Sequence, residues 1–260
     1  MAPRHILAFY DQDRKSVSLY SMLREETSHL VRHIAPDGEG MIIYSNLNST
    51  NAEEVIQEQI AHFESRGRDF SWVVFRHDRP ADLKDRLLVH GFISEAPEEI
   101  MALEIDDLSP LLVKPVGCDV KRINDIDKID DVLSIRRQVW QGDYSSMVQS
   151  LTKRLTAAPE SLALYVAYVD GKPASTAQIS FYQNGNFAGL VKAATLPGYR
   201  GRGLYTALVA TRVQEARRRG VRFVDADASP MSRPILEKLG FQSLTEAYSC
   251  EWHVKPVSTG

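Results

Sequence analysis

The sequence predicts an α/β chain of the α+β kind, in which a mixed central sheet is flanked by helices and the arrangement occurs twice. Two observations lead to this prediction. Residues 80–92 (PADLKDRLLVHGF) and 230–241 (PMSRPILEKLGF) are similar: both begin with proline, carry leucine at helical spacing and end in Gly-Phe. Segments typical of strands flank both copies, so the order strand, helix, strand repeats along the chain.

The first half is predicted to contain three strands and two helices. The predicted strands are 40–45, 70–76 and 99–105, and the predicted helices are 51–66 and 80–92. The first helix carries apolar residues at the 3.6-residue period of an amphipathic helix. Proline suits the first turn of a helix and glycine its end, which sets the bounds of the second helix.

The second half repeats this order behind an additional front end. The front end comprises a strand at 119–123, helices within 126–140 and 144–155, and a hairpin of 162–169 with 174–182. The repeated part comprises strands at 186–195, 221–227 and 247–254 and helices at 204–219 and 230–241. Asp170-Gly171 is a strong two-residue hairpin turn. Two prolines and a glycine in 110–117 predict a linker, which gives domains 1–112 and 116–260.

Composition excludes several classes of function. The chain has 260 residues with 43 % apolar and 25 % charged residues, which is ordinary for a globular protein. A net charge of -3 argues against a nucleic-acid partner. The longest apolar run, 162–169, is far shorter than the ~20 residues that span a membrane, so we expect no membrane partner.

Cys118 and Cys250 are too few for a disulfide framework and predict the cytoplasm. His29 and His33 would share a helical face, but they lack a third ligand, so no metal is expected.

The most informative segment joins the strand that ends at Thr195 to the helix that starts near Leu204. It reads LPGYRGRGLYTAL over residues 196–208. Gly201 and Gly203 lack the Cβ atoms that would keep an anion away from the backbone, and the helix start supplies free N–H groups. The segment therefore predicts a phosphate or pyrophosphate cradle. It is not a P-loop, and it lacks the third glycine of the dinucleotide fingerprint.

This turn resembles the acetyl-CoA loop of the GNAT family of N-acetyltransferases, whose pattern is R-x-x-G-x-G/A. Arg200 and Gly203 match the pattern, whereas Tyr205 stands where the family has glycine or alanine. The LGF of residues 239–241 also resembles the family's Y-x-x-L-G-F, but its tyrosine position is Leu236. The resemblance covers about residues 118–255 and implies a tandem GNAT-like protein with a degenerate first half.

The resemblance implies acetyl-CoA as cosubstrate, with the pyrophosphate on the loop amides and the pantetheine arm beside a splayed strand. The implied cofactor-binding residues are Ala193, Ala194, Thr195, Arg200, Gly201, Arg202, Gly203, Leu204, Tyr205, Thr206, Ser229 and Ser232. Ser229 before Pro230 is equally typical of a plain helix cap, and both roles stay open. The corresponding turn of the first half, 45–51, has neither glycine nor arginine. There, Ser49 or Asn51 is expected to cap a helix, without a cradle.

Acetyl transfer to an amine requires a base, an oxyanion donor and a proton for the departing thiolate. Asp227, near a strand end, is the first candidate base; capping or an ion pair beside Ser229 is its alternative role. Tyr182 and Tyr144 are further candidates, as is Asp143, because the resemblance places these segments around the acceptor site. The family's usual acid is absent, since its position is Leu236.

The predicted function is an acetyl-CoA-dependent N-acetyltransferase that acts on a primary amine of a small molecule or peptide. Transfer is expected to be direct, because neither Cys118 nor Cys250 has a histidine placed to activate a thiolate. The alternative is a non-catalytic acyl-CoA-binding regulatory protein, which would keep the loop without the proton-transfer groups. A homodimer is a further expectation. The identity of the acceptor is not readable from the sequence.

Overall fold

A computed structural model of the chain describes residues 3–106, 108–113, 117–141 and 145–255. The chain divides into two compact units, one of Met1–Ile100 with Ser243–Gly260 and one of Met101–Gln242. The end of the chain therefore belongs to the first unit. The predicted domains 1–112 and 116–260 describe a sequence repeat, which is a different property from compactness, and they stay a prediction.

The elements follow the predicted order of strands and helices. The elements up to residue 104 are α1 (Arg4–Ser16), β1 (Leu23–Glu26), β2 (Leu30–Ile34), β3 (Gly40–Ser45), α2 (Ala52–Glu64), β4 (Phe70–Phe75), α3 (Leu83–Val89), β5 (Ile93–Ser94) and β6 (Glu98–Glu104). The later elements are α4 (Pro110–Val113), β7 (Asp119–Ile123), α5 (Ile129–Trp140), α6 (Ser145–Ala157), β8 (Leu162–Val169), β9 (Lys172–Phe181), β10 (Phe187–Thr195), α7 (Leu204–Arg218), β11 (Phe223–Ala228), α8 (Arg233–Lys238) and β12 (Gln242–Trp252). Of these, α1, β1, β2, β5 and α4 lie where the sequence predicted no element, and α4 occupies the start of the predicted linker 110–117.

The first unit contains a mixed sheet in the order β1-β2-β3-β4-β12, with β5 beside β12. Strands β3 and β4 are parallel, and β12 runs antiparallel to β4. Trp72 is fully buried at the centre of its core, and the rings of Phe63 and Phe70 stack with centroids 4.4 Å apart. Cys250 and Trp252 of β12 belong to the same core, so the last strand completes this unit.

The second unit contains a mixed sheet in the order β6-β11-β10-β9-β8-β7. In this unit, β10 and β11 are the one parallel pair among those whose registers the described residues give. Strands β7, β8, β9 and β10 pair antiparallel in turn. Helix α7 packs through Leu208 and Val213 into one core, and α5 packs through Val132 and Leu133 into another. A mixed sheet flanked by helices confirms the predicted fold class.

The described residues include no helix that is both long and apolar enough to cross a membrane. They also form no group of three or more His, Cys, Asp or Glu side chains arranged to hold a metal. His33 lies buried in strand β2 rather than in a helix, and its Nε2 is 3.2 Å from the Val17 carbonyl oxygen. The helical pairing of His29 with His33 is therefore wrong, because this segment pairs with β1 and β3 in a sheet.

Candidate functional site

Strands β10 and β11 begin as parallel neighbours and then separate. Their register runs from Phe187 opposite Phe223 to Gly189 opposite Asp225, and it ends there. Both strands continue beyond these residues without pairing to each other over this fully described stretch. A gap therefore opens between the carboxyl ends of the two strands and closes at the Gly189–Asp225 pair.

A β-bulge distorts the other edge of β10. Val191 pairs with Gln178 of β9 and Ala194 pairs with Thr176, so two residues of β10 lie opposite one residue of β9. Lys192, inside the bulge, has a φ of 53°, which is uncommon for a residue with a side chain. A bulge turns backbone groups and side chains out of the regular ladder, and here it does so beside the gap.

The three strand residues predicted to meet the pantetheine arm lie along this stretch. Ala193 is half-buried against the core beneath α7, and Ala194 is buried in the core beneath α5. The Thr195 hydroxyl is 2.7 Å from the Ser175 hydroxyl, which is also 3.0 Å from the Ala194 carbonyl oxygen. Because these side chains are used in packing and in holding the strand, a ligand in the gap would meet mainly backbone.

The glycine turn ends at the start of α7. Gly201 and Gly203 have φ values of +75° and +77°, a region that glycine enters without strain. A Cβ on either glycine would meet nothing within 4 Å, so both face open space. Gly203 is the N-cap of α7 and its position provides no side-chain cap, which leaves first-turn N–H groups for another acceptor.

Two exposed arginines flank this turn. Arg200 donates from Nε to the Thr195 carbonyl oxygen at 3.4 Å, and the Arg202 guanidinium lies 5.3 Å from the centre of the Tyr199 ring. A helix N-terminus, two glycines that leave the backbone open and two guanidinium groups are suited to a diphosphate. The residues present therefore fit the pyrophosphate of CoA. The next residues point inward: Leu204 is buried, while Tyr205 and Thr206 are half-buried.

The turn before α8 differs from the simple cap that the sequence predicted. Helix α8 begins at Arg233 with Ser232 as N-cap. Ser229 holds the preceding turn: the Ser232 N–H donates to the Ser229 carbonyl oxygen at 3.0 Å, and the Ser229 hydroxyl lies 3.4 Å from the same nitrogen, as a capping side chain does. The Tyr205 hydroxyl, whose pKa burial raises, faces the Ser232 hydroxyl. Because α7 follows β10 and α8 follows β11, Tyr205 and Ser232 lie across the open end of the gap.

Asp227 lies on β11 beyond the last paired residue. Strand alternation places Val224 and Ala226 in the core beneath α7 and directs Asp225 and Asp227 to the other face. The Asp227 side chain is reached by solvent, yet the surrounding protein raises the pKa of its carboxyl, while the Lys192 ammonium opposes that shift. A carboxyl with a raised pKa is a stronger base than an ordinary aspartate.

Tyr182 lies at the closed end of the gap. Its hydroxyl oxygen is 2.8 Å from the position that a Cβ on Gly189 would occupy, so glycine is needed at 189 for the phenol to lie there. The structure therefore places both residues beside the same gap, Tyr182 at its closed end and Asp227 on β11. Tyr144 and Asp143, the other predicted acceptor-site residues, lie outside the described residues. Leu236 is fully buried in the core beneath α7.

The corresponding turn of the first unit is closed by its own side chains. The Asn48 side-chain oxygen accepts from the N–H groups of Thr50 and Asn51 at 2.8 and 3.1 Å. The Asn51 side-chain oxygen accepts from the Asn48 N–H at 2.8 Å. Asn51 is the N-cap of α2, as predicted, but its side chain accepts from the Asn48 N–H and makes no capping bond to that helix. The amides that would hold a phosphate are already used here.

Sequence reasoning missed two cations near the gap. Lys192 lies in the bulge, and the residues of β10 carry no sequence signal that predicts a bulge. Arg212 lies at the centre of α7 and is 1 % exposed. The sequence did indicate that Arg212 is buried, because position 212 follows Leu204 and Leu208 at intervals of four on the buried face of the predicted helix.

Comparison with known proteins gives a family match within the second unit. The model of the acetyltransferase (GNAT) family matches residues 129–241. A GCN5-related N-acetyltransferase from Kribbella flavida shares the fold with a TM-score of 0.71 and 16 % identity, over 99 % of this chain and 98 % of its own. A tandem GNAT protein from the clavulanic acid biosynthesis pathway has a TM-score of 0.60 and 12 % identity, over 99 % and 98 %. A GCN5-related N-acetyltransferase from Sphaerobacter thermophilus has a TM-score of 0.55 and 16 % identity, over 94 % and 84 %. These likenesses confirm the tandem GNAT-like fold. A search of curated proteins found no significant match.

Proposed function

We propose that the chain, whose residues 129–241 match the model of the acetyltransferase (GNAT) family, transfers an acetyl group from acetyl-CoA to a primary amine of a small molecule or peptide. The observation that carries the proposal is the continuity of the gap between β10 and β11 with the glycine turn at Gly201 and Gly203. An extended arm in the gap and a diphosphate on the turn match the shape of CoA. Bound acetyl-CoA supplies the acetyl thioester.

In the proposed reaction, the backbone at the bulge polarises the thioester carbonyl, because N–H groups turned out of the ladder can donate to a developing oxyanion. Asp227 takes the proton of the attacking amine, since its carboxyl is reachable and its raised pKa brings it nearer to neutral pH. Tyr182 contacts the acceptor at the closed end of the gap. Ser229, Ser232 and Tyr205 line the open end, where they would touch the pantetheine arm.

We propose direct transfer without an acetyl-enzyme. Cys250 is fully buried in the core of the first unit, and burial raises the pKa of its thiol, which disfavours a nucleophilic thiolate. Cys118 is half-buried against the core of the second unit. A Cys118→Ala, Cys250→Ala double variant is expected to keep its kcat/KM and to show ternary-complex kinetics. Ping-pong kinetics in the parent enzyme would contradict direct transfer.

A screen of amines with acetyl-CoA tests the function. Release of free thiol is followed with a chromogenic disulfide, and calorimetry measures CoA binding on the same protein. Amine-dependent thiol release at a rate that Asp227→Asn lowers would support an N-acetyltransferase. The acceptor panel would include polyamines, aminoglycosides and peptides with free N-termini or lysines, because the geometry does not choose among these classes.

The second candidate is a non-catalytic acyl-CoA-binding regulatory protein. The observation that favours it is Leu236, which buries an aliphatic side chain where the family pattern has tyrosine. Tight CoA binding without thiol release for any amine of the panel would support this alternative. Unbonded cysteines are consistent with the proposed cytoplasmic location, and the homodimer stays a prediction.

A further inference from the structure

Arg212 is a buried cation without an acidic partner. Its side chain is 1 % exposed, and it makes no ion pair with any Asp or Glu among the residues that the structure describes. Nε donates to the Leu208 carbonyl oxygen and Nη1 to the Gln178 carbonyl oxygen, both at 3.0 Å. Burial lowers the pKa of Arg212 to about 10, so the group stays charged at neutral pH. An unpaired buried charge destabilises a fold, and two carbonyl groups offset only part of that cost.

The partners of Arg212 place it beneath the β9–β10 pair where the bulge starts. Gln178 pairs with Val191, the last regular residue of β10 before the bulge. Val191 lies two residues beyond Gly189, where β10 and β11 cease to pair. The Arg212 guanidinium therefore lies where the bulge begins, one strand from the gap, and Val191 of β10 separates its partner Gln178 from the gap. The phenols of Tyr165 and Tyr205 also lie near enough to interact with its charge.

The other charged groups of α7 are arranged differently. Glu215, one turn further along, is held by Arg218, Arg219 and Arg122 at 2.5 to 3.2 Å. Three guanidinium groups already compensate the charge of Glu215, so Arg212 is not required as its counter-ion. The Tyr165 hydroxyl is buried and has no hydrogen-bond partner among the described residues, and it therefore offers no anion to Arg212 at neutral pH.

We propose that Arg212 is a positioning residue for acetyl transfer. Its bond to the Gln178 carbonyl fixes the start of the bulge, and its charge favours negative charge on the thioester in the gap above it. This inference rests on the proposed function. An electrostatic group that is fixed in a dry interior acts without reorganisation when charge develops, which is the most effective form of such stabilisation.

Negative charge develops at two atoms in this reaction, the carbonyl oxygen and the sulfur of the thioester. The amine nitrogen forms a bond to the thioester carbon, and the carbonyl electron pair moves to oxygen. When the intermediate collapses, the C–S bond breaks and its electron pair leaves on sulfur, while the amine proton passes to the base. Both the oxyanion and the thiolate are stabilised by a cation beneath the bulge, and the amine that attacks gains nothing from it before reaction.

An Arg212→Met variant tests the proposal, because methionine fills much of the same space without charge. The melting temperature is expected to equal or exceed that of the parent, since removing an unpaired buried charge is often neutral or stabilising. We expect kcat to fall about 10- to 100-fold, with the Kd of CoA within about 2-fold of the parent value. Arg212→Lys, which keeps the charge, is expected to recover part of kcat. A lower melting temperature with unchanged kcat in Arg212→Met would instead show a purely structural role and overturn the proposal.

A second measurement detects the effect of the Arg212 charge on bound CoA without turnover. The ultraviolet absorbance of the thiolate follows the titration of CoA bound to the protein, and Arg212→Met is expected to raise the pKa of the bound thiol. Tyr165→Phe is the matched control, because it alters a neighbour of Arg212 and keeps the charge; it should leave both kcat and the bound thiol unchanged. If the parent protein binds no CoA, the proposed function fails and this inference with it. If CoA binds and Arg212→Met leaves the thiol titration and kcat unchanged, only the role of Arg212 is overturned.

Discussion

Gly189 and Asp225 form the last pair between β10 and β11, and beyond them the two parallel strands diverge. The pair sets the closed end of a gap whose open end is bounded by the first turn of α7 and the turn before α8. Gly189 also leaves room for the Tyr182 hydroxyl, which a Cβ would approach to 2.8 Å. One pair of residues therefore fixes where a ligand in the gap must stop and which phenol it meets there.

Gly203→Asp is expected to abolish tight CoA binding. The φ of Gly203 is +77°, which strains any residue with a Cβ, and the new carboxylate would face the pyrophosphate. A loss of at least about 2 kcal/mol, or roughly 30-fold in Kd, is expected from an unpaired charge at a partly buried site. Calorimetry with CoA measures this change.

Gly198→Ala is the matched control for that variant. Gly198 lies in the same turn, has no positive φ and has nothing within 4 Å of its Cβ position. It should bind CoA like the parent protein. Parent-like affinity in Gly203→Asp, with Gly198→Ala also unaffected, would place the diphosphate elsewhere.

One CoA is expected to bind per chain. In the first unit, Asn48 and Asn51 already accept the amide hydrogens of the turn before α2, at 2.8 to 3.1 Å, so a phosphate would have to displace them. Calorimetric stoichiometry measures the number of sites. Two equivalent sites, or a remaining full-affinity site in Gly203→Asp, would contradict the prediction.

The open glycine turn before α7 could be predicted from sequence because its physical requirements select few residue types. A backbone that must approach a diphosphate at positive φ requires glycine, and Gly201 and Gly203 are visible as such. The strand and helix order was readable for a similar reason, since each element buries one face and its apolar residues recur at a fixed period. The absence of a cradle near Asn51 was readable as well.

Three features could not be predicted in this way. They are the bulge in β10, the unit to which β12 belongs and the amides that donate to the Asn48 side chain. A bulge at Lys192 depends on the register between two strands, which the residues of one strand do not contain. The assignment of β12 to the first unit depends on long-range pairing of Cys250 with Trp72. Asn48 rather than Asn51 receives the turn amides because the chain turns before the helix starts, and helix ends are uncertain by one or two residues in any pattern.

A fragment of residues 118–260 is expected to be less stable than the whole chain and poorly soluble. It would expose Cys250 and Trp252, which are buried in the first unit, and it would lack Met101 and Leu103 from the second unit's core. Each large apolar side chain returned to water costs about 1.5–3 kcal/mol. Residues 101–242, which form one compact unit, serve as the matched fragment. Thermal melting and size-exclusion chromatography compare the two; a monodisperse 118–260 fragment that melts like the whole chain would contradict the expectation.

The pH dependence of activity is expected to report the Asp227 carboxyl and its neighbour Lys192. Since the pKa of Asp227 is raised, the base becomes available only above the ordinary pH range of an aspartate, and kcat/KM should rise with pH through that raised value. The Lys192 ammonium favours the ionised carboxyl, so Lys192→Met should raise the pKa further and move the acid limb of the profile to higher pH. Lys192→Arg keeps the charge and should leave the limb in place.

Asp227→Asn should lower kcat/KM by about 100-fold and remove the limb. The amine acceptor also titrates, but its own pKa in solution does not depend on residue 192, so a limb that moves with Lys192→Met is assigned to the protein. A limb that stays in place in Lys192→Met and persists in Asp227→Asn would assign the titration to the acceptor and remove Asp227 as the base.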